Sequence, residues 1–361
     1  MKYKILIDGY YLAKPRGMGR YVKELLYSLS QTEFAENFKI FVLIPKEDKN
    51  CGLVNLPFNY IEAKKLPFPL WEQFLVPYYS LKYDIDLLLS PYNTFPLIGR
   101  FFKYRSVVTI HDLMFLDKSN VGGNIYQKLG NLYRKLVVSS IPNKSKIITV
   151  SQKSARDIKE YLKRDSQVIY TAVDLFYKEN ESQLTKNNNI KYVYHVGGVS
   201  PHKNTERVIQ AFLALQLEDT KLIISGMSKD NPIKAKYKEY NSVVFTGWLE
   251  DAEVANLYYN AKAVIFPSLV EGYGLPIIEA FKYGTPVVTS NVEPMNEIAK
   301  DAAILVDPYS IDSIQRGILE AVNNEKYREE LKYKMKQRLN EINAERMGNK
   351  VLGIFYSILS K

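Results

Sequence analysis

Val264-Ile265-Phe266-Pro267-Ser268-Leu269-Val270-Glu271-Gly272-Tyr273-Gly274-Leu275-Pro276-Ile277-Ile278-Glu279-Ala280 joins an apolar run to a helical one through a loop with two glycines. Ala263 to Pro267 reads as a buried strand. Pro276 suits a first helical residue, because proline lacks the N–H that would go unpaired there, so a helix is expected over Pro276 to Tyr283. Glu271 then stands on the loop and Glu279 about one turn into the helix. In parallel sheets ligands collect beyond the carboxyl ends of strands, where loops enter helices. The backbone N–H groups of Gly272, Tyr273, Gly274 and Leu275, with the positive helix end, suit phosphate oxygens or sugar hydroxyls. The two carboxylates cannot themselves bind phosphate, but they accept hydrogen bonds from hydroxyls. A purely local account also exists: two acids placed favourably near a helix N-terminus.

Outward from this segment the pattern is strand alternating with helix. Before it come Tyr192 to Val196, Lys221 to Ser225 and Ser242 to Thr246 as strands, with helices at Thr205 to Ala214 and Asp251 to Asn260; after it comes a strand at Pro286 to Ser290. The first half repeats the theme, with strands at Lys4 to Asp8, Lys39 to Ile44, Ile85 to Ser90, Ser106 to Ile110 and Lys146 to Val150, and a helix at Arg20 to Ser30. This alternation predicts two α/β, Rossmann-like parallel-sheet domains facing across a cleft. The polar run from Glu179 to Gln183, leading to the triplet Asn187, Asn188 and Asn189, has little to bury and reads as the linker. The expected domains are therefore 1–180 and 190–344, with a final helix at about 345–361 that packs back on the first domain.

The chain has 361 residues, enough for two domains of about 150 to 200 residues each. With 46% hydrophobic and 24% charged residues it has the composition of a globular protein. Lysines interrupt the amino-terminal apolar run, so no signal peptide is expected, and no stretch approaches the roughly 18 apolar residues of a membrane span. The cytoplasm is the natural compartment. One cysteine, Cys51, excludes an internal disulfide and a thiolate zinc site, and three histidines (His111, His195, His202) argue against a histidine-rich metal centre. Asp84-Ile85-Asp86 spells a metal-binding DxD, but an aspartate opening an apolar strand is more often a turn residue. No metal and no cofactor is expected. The net charge of +10 and pI near 9.2 fit a nucleic-acid binder, a protein docking on anionic lipid, an enzyme of phosphorylated ligands, or a plain compositional bias.

Glu271, seven residues and Glu279 resemble the shared pattern of the retaining glycosyltransferases of family 4. The resemblance runs through FTGWLEDAEVANLYYNAKAVIFPS before the pair and EAFKYGTPVVTSNVEPMNEIAKDAAILVDP after it. In the first half RGMGRYVKELL, WEQFLVPYY, DIDLLLSPYNTFP and VVTIHD resemble the bacterial mannosyltransferase-type branch of surface-polysaccharide synthesis. The resemblance implies the two-domain GT-B fold and a nucleotide sugar as substrate. It implies that Glu271 bonds hydroxyls of the transferred sugar, that Glu279 bonds the donor ribose, and that His111 contacts the sugar from the first domain. It also implies that Lys203 neutralises the leaving diphosphate. Family relatives carry an arginine where this chain has Gly198 or His202; His202, Arg16 and Arg20 are the cations left to share its work. Gly17 and Gly19 follow the first strand and let backbone approach the donor or an acceptor, although a tight turn needs glycine too.

The expected reaction is metal-independent transfer of a hexose with retention, from GDP-mannose first and UDP- or dTDP-sugars next, to a saccharide or polyprenyl-linked acceptor. A sugar-nucleotide epimerase on the same fold, which would release isomerised donor without an acceptor, is the second class. A basic membrane or nucleic-acid binding module is the third, with no nucleic-acid partner expected if the chain is a transferase. Asn124 to Ser139, with Lys128, Arg134 and Lys135 among Tyr126, Leu129, Leu132, Tyr133, Leu136 and Val137, reads either as a basic amphipathic helix on lipid at the inner membrane face or as a core-packed helix with a solvated basic face.

Overall fold

The structure, a computed structural model, describes residues 2–14, 17–48, 56–101, 103–116, 125–186, 190–198, 200–228 and 231–360. Arg16, Cys51 and the triplet Asn187 to Asn189 lie outside the described residues, as do the side chains of Tyr126 and Lys128.

The chain forms two compact units, Met1–Ala172 with Asn343–Lys361, and Val173–Ile342. The first is built on a sheet in the order β3-β2-β1-β4-β5-β6-β7. Its strands are β1 (Tyr3–Asp8), β2 (Phe38–Pro45), β3 (Asn59–Ala63), β4 (Leu87–Ser90), β5 (Arg105–Ile110), β6 (Lys146–Thr149) and β7 (Gln167–Val168). All pairs are parallel, with Ile5 opposite Ile40 on one side and Leu87 on the other. Strands covered on both faces read as continuous apolar runs, and Ile5, Leu6, Ile7, Leu87, Leu88 and Leu89 are fully buried.

The second unit's sheet has the order β10-β9-β8-β11-β12-β13, again all parallel. Its strands are β8 (Lys191–Val196), β9 (Thr220–Ser225), β10 (Val243–Gly247), β11 (Ala263–Phe266), β12 (Val287–Ser290) and β13 (Ile304–Val306). In both sheets the strand order reverses beside the unit's first strand, between β1 and β4 and between β8 and β11. Such a switch point opens a crevice at the carboxyl ends of the strands.

The division between the units falls at Ala172/Val173, ahead of the polar run expected to form the linker. The reason is the helix Asp174–Asn180: Leu175 and Phe176 are buried, Phe176 meets Tyr283 edge-on at 6.2 Å, and Asp174 pairs with Lys282 at 2.5 Å. The helix Ala344–Leu359, capped by Asn343, belongs to the first unit. Phe38 of β2 meets Phe355 at 5.9 Å and Tyr356 at 4.8 Å. Gly348 lies so close to the helix Met18–Ser30 that a Cβ there would stand 2.1 Å from the Ser28 carbonyl oxygen.

Gly348→Ala is therefore expected to lower the stability of the first unit by about 1–3 kcal/mol, the usual cost of overpacking, read as a lower urea midpoint at unchanged slope. An unchanged midpoint would mean that this helix does not pack there.

Candidate active site

The second unit's switch point is closed by main-chain hydrogen bonds between two loops. After β8, Gly197 passes so near β9 that a Cβ would stand 2.9 Å from Ile224 Cγ2. Gly198 follows, then a 3-10 turn over Pro201–Lys203. The His202 carbonyl accepts from Leu269 N–H at 2.7 Å and from Ser268 Oγ at 2.9 Å, tying this loop to the one after β11. Asn204, buried in the left-handed region at φ 61°, donates through Nδ2 to the carbonyls of Pro267 (3.0 Å) and Pro308 (2.6 Å).

Lys203 and Glu271 meet in this frame, Nζ to Oε1 at 2.8 Å, and Ser268 Oγ donates to the same carboxylate oxygen at 2.7 Å. Lys203 Nζ also lies 5.0 Å from the centre of the Phe266 ring. Their side chains are only 21% and 15% exposed, so each charge needs the other to offset lost hydration. Arg207 borders a cavity of about 610 Å³ together with Gly198, Ser200 and Asn204, and donates to Asn204 Oδ1 at 2.8 Å.

The helix after the loop runs Leu275–Lys282, so Pro276 is its second residue rather than its first; neither position has an intrahelical use for an N–H. Gly274 stands at the N-cap with φ 106°, a conformation that side-chain-bearing residues avoid. Among the described residues no acceptor takes the N–H of Gly274 or of Leu275. Glu279 is nearly buried, and Tyr258 OH donates to its Oε2 at 2.7 Å. Tyr258 is held by stacking on Tyr283 at 5.9 Å and by an edge contact with Tyr194 at 5.2 Å. Tyr273 is buried, while Gly272 and His202 are half-buried.

His195 is fully buried behind the loops. Its Nδ1 contacts the Ile265 carbonyl at 2.7 Å, which can only accept, so Nδ1 carries the proton and Nε2 accepts from Thr205 Oγ1 at 2.9 Å. Burial holds its pKa down to about 4. Ser268, Asn204, Tyr258 and His195 were not among the expected site residues; their serine, asparagine, tyrosine and histidine side chains act on partners distant in sequence.

In the first unit, His111 follows β5. Its N–H donates to Asn93 Oδ1 at 2.6 Å, and its Nε2 donates to the Pro91 carbonyl at 2.8 Å. Tyr21 packs edge-on against the ring at 4.5 Å. Burial lowers its pKa to about 4, so the ring is neutral near pH 7 and presents Nδ1 as an acceptor. Gly17 caps the helix Met18–Ser30 at φ 57°. Gly19 is demanded by the chain itself, since a Cβ would stand 2.1 Å from the Lys14 carbonyl oxygen. Arg20 is buried.

Two carboxyls that sequence reading missed sit beyond β1. Asp8 Oδ1 accepts from Trp71 Nε1 (2.9 Å) and Tyr10 N–H (3.0 Å), and Glu72 accepts from Thr94, Tyr133 and Gln73. Burial pushes both pKa values up to about 7, against the pull of those hydrogen bonds. Asp84 stands in a left-handed turn at φ 51°, and Asp86 accepts from Lys4 N–H at 2.7 Å. Among the described residues no group of three or more His, Cys, Asp or Glu is arranged to hold a metal ion.

Two parallel-sheet units, each with a strand, a glycine loop and a helix N-terminus at its switch point, define the GT-B fold. The chain belongs to family 4 of the glycosyltransferases, a family of retaining hexosyltransferases: the profile described as Glycosyltransferase Family 4 matches residues 15–176, and that described as Glycosyl transferases group 1 matches residues 176–338. It is 32% identical over 146 residues to the O-antigen chain mannosyltransferase B of Escherichia coli, a stretch covering 38% of each chain. The matched stretch thus spans about two fifths of that relative's length. Among solved structures it is similar to the sucrose-phosphate synthase of Thermosynechococcus elongatus (19% identity, TM-score 0.74, covering 99% of this chain and 100% of that one). It is also similar to Anabaena HepE in complex with UDP and glucose (17% identity, TM-score 0.73, covering 98% and 100%). No described helix is long and apolar enough to cross a membrane.

The folded-state pKa of His195 lies below its ordinary value of 6.5, so its contribution to stability is complete above about pH 6.5 and is lost as pH falls toward 4. Asp8 and Glu72 have the opposite sign: raised to about 7, they contribute fully at acid pH and less as pH rises through 7. Removing His195 isolates its share. Compared with wild type, His195→Asn should lose a component of about 2 kcal/mol in the change of unfolding free energy between about pH 7.5 and 5. Parallel stability curves for the two proteins would show that His195 titrates normally.

Proposed function

We propose that this protein transfers a hexose from a nucleoside diphosphosugar, GDP-mannose first and UDP- or dTDP-sugars next, to a saccharide or lipid-linked saccharide acceptor in bacterial surface-polysaccharide synthesis. The observation that carries this reading is the Lys203–Glu271 pair beside the unbonded N–H groups of Gly274 and Leu275. The similarity to an O-antigen mannosyltransferase supports mannose, and the UDP and glucose bound in HepE support a nucleotide sugar as donor class.

In this reading the helix N-terminus and Lys203 stabilise the leaving diphosphate, where charge develops as the glycosidic bond breaks. Gly198 and the Gly17–Gly19 turn admit the donor without a side chain in the way. Glu271, acceptor-only when ionised, takes hydrogen bonds from sugar hydroxyls, and Glu279 takes one from the ribose while Tyr258 holds it in place. His111 offers its neutral Nδ1 to the sugar. Arg207, which borders the same cavity as Gly198, is the cation that compensates for the arginine missing there, and the His202 side chain, in the turn Pro201–Lys203, adds a hydrogen-bonding group.

Glu271 and Lys203 neutralise one another before donor arrives, which separates the effects of the two glutamates. Glu271→Ala should slow transfer about 10²–10³-fold while leaving nucleoside diphosphate affinity equal or tighter, because Lys203 is released. Glu279→Ala should weaken nucleotide binding about tenfold, through loss of one charge-assisted hydrogen bond. A calorimetric and hydrolysis screen of nucleotide sugars identifies the donor on which both are measured. Unchanged turnover in both variants would overturn the assignment, and isomerised donor without acceptor would convert it to an epimerase.

A further inference from the structure

The two carboxylate oxygens of Glu271 stand in unequal surroundings. Lys203 Nζ and Ser268 Oγ both reach Oε1, at 2.8 and 2.7 Å. Among the described residues nothing bonds Oε2, and it is not one of the buried atoms left unpaired, so it opens toward solvent. One oxygen is anchored to protein and the other is offered to a ligand.

The two anchors differ in permanence. In the transferase reading the donor's diphosphate draws on the charge of Lys203, and Glu271 loses its counter-ion just as the sugar arrives. A carboxylate whose side chain is only 15% exposed then needs another donor to keep its place. Ser268 is that donor. It is fully buried just beyond β11, and its own carbonyl accepts from Ser290 Oγ at 2.5 Å, so its backbone is tied to the end of β12. No diphosphate can compete for a hydroxyl placed there.

This hydroxyl has a single proton and two near acceptors, Glu271 Oε1 at 2.7 Å and the His202 carbonyl at 2.9 Å, with the Val270 carbonyl farther off at 3.4 Å. The ionised carboxylate is both the nearer and the stronger acceptor. The proton is therefore shared in a three-centre bond weighted toward Glu271. The loop junction has other ties, because Leu269 N–H reaches the same His202 carbonyl at 2.7 Å and Asn204 Nδ2 reaches the Pro267 carbonyl at 3.0 Å. Glu271, by contrast, has only Ser268 once Lys203 is engaged elsewhere.

We infer that Ser268 is a positioning residue for the transfer: its hydroxyl pins Oε1 of Glu271, so that Oε2 faces the sugar hydroxyls whether or not Lys203 is engaged by diphosphate. The inference rests on the transferase reading and adds to it a buried residue that acts only through Glu271.

The test compares wild type, Ser268→Ala, Ser268→Thr, Glu271→Ala and the Ser268→Ala, Glu271→Ala double variant. GDP and UDP are the probes in calorimetry, and GDP-mannose, UDP-glucose and dTDP-glucose are the donors in hydrolysis at high enzyme concentration. Ser268→Ala should lower kcat about 10–100-fold on the donor that wild type consumes, with KM and nucleoside diphosphate affinity each within about threefold, because Lys203 and the helix N-terminus stay in place. Ser268→Thr keeps the hydroxyl and should retain most of kcat. Adding Ser268→Ala to Glu271→Ala should cost less than about twofold more, since no carboxylate remains to be held. Equal losses in the two backgrounds, or a nucleoside diphosphate affinity that falls in step with kcat, would assign the hydroxyl to the loop junction and overturn the inference. A threonine variant as impaired as the alanine one, or an alanine variant as fast as wild type, overturns it too and leaves the transferase reading standing. Wild type that consumes none of the donors and binds neither nucleotide overturns that reading, and this inference with it.

Discussion

The carbonyl of His202 receives two donors from the loop after β11, and the donor-side geometry rests on that small junction. β8 and β11 pair directly, but where the strand order reverses a gap opens beyond their carboxyl ends, and the sheet ladder does not fix the loops on either side of it. Leu269 N–H and Ser268 Oγ bridge the gap, Asn204 bridges it again to Pro267, and His195 braces it from beneath. Only with the loops locked in this way do a lysine and a glutamate 68 residues apart come within 2.8 Å.

The charge state of that junction matters as much as its shape. Lys203 and Glu271 are mostly shielded from water, where an uncompensated charge is expensive and a paired one is tolerated. The pair is thus a resting arrangement in which the lysine is already ordered and desolvated. A cation held in this way needs little reorganisation to meet an anion, the condition under which preorganised electrostatic stabilisation is strongest.

The first unit answers to a different constraint. Among its buried polar groups are two carboxyls, Asp8 and Glu72, each raised to about 7 because burial outweighs their hydrogen bonds. Trp71 donates to Asp8, and its neighbour Glu72 is the other carboxyl; both lie in the π turn Trp71–Leu75. Phe74 of the same turn stands in solvent. One turn thus carries both buried polar partners and an exposed apolar side chain.

The strands with long apolar runs are legible in the amino-acid pattern alone: β1, β2, β8, β9 and β11 lie within a residue or two of their expected bounds, as do the helices Thr205–Ala214 and Asp251–Asn260. The edge strands β3, β7 and β13 were not expected, because a short strand such as Gln167–Val168 carries too few residues to show a period. The short helix Asp174–Asn180 was not expected either, and only the structure shows two of its side chains buried against the second unit's own helices. Glu271 and Glu279 could be placed from strand, loop and helix signals, whereas Lys203 and His111 were singled out by the family resemblance of the segments that carry them. The sequence by itself therefore determined the alternation of elements and the positions of the acids, which depend on local periodicity and spacing, and its motifs carried the family resemblance. Only the tertiary structure decided that Lys203 pairs with Glu271, that Tyr258 holds Glu279, and that Ser268 reaches the His202 carbonyl. Those contacts join segments distant along the chain, and their energies arise only after the sheets have brought them together.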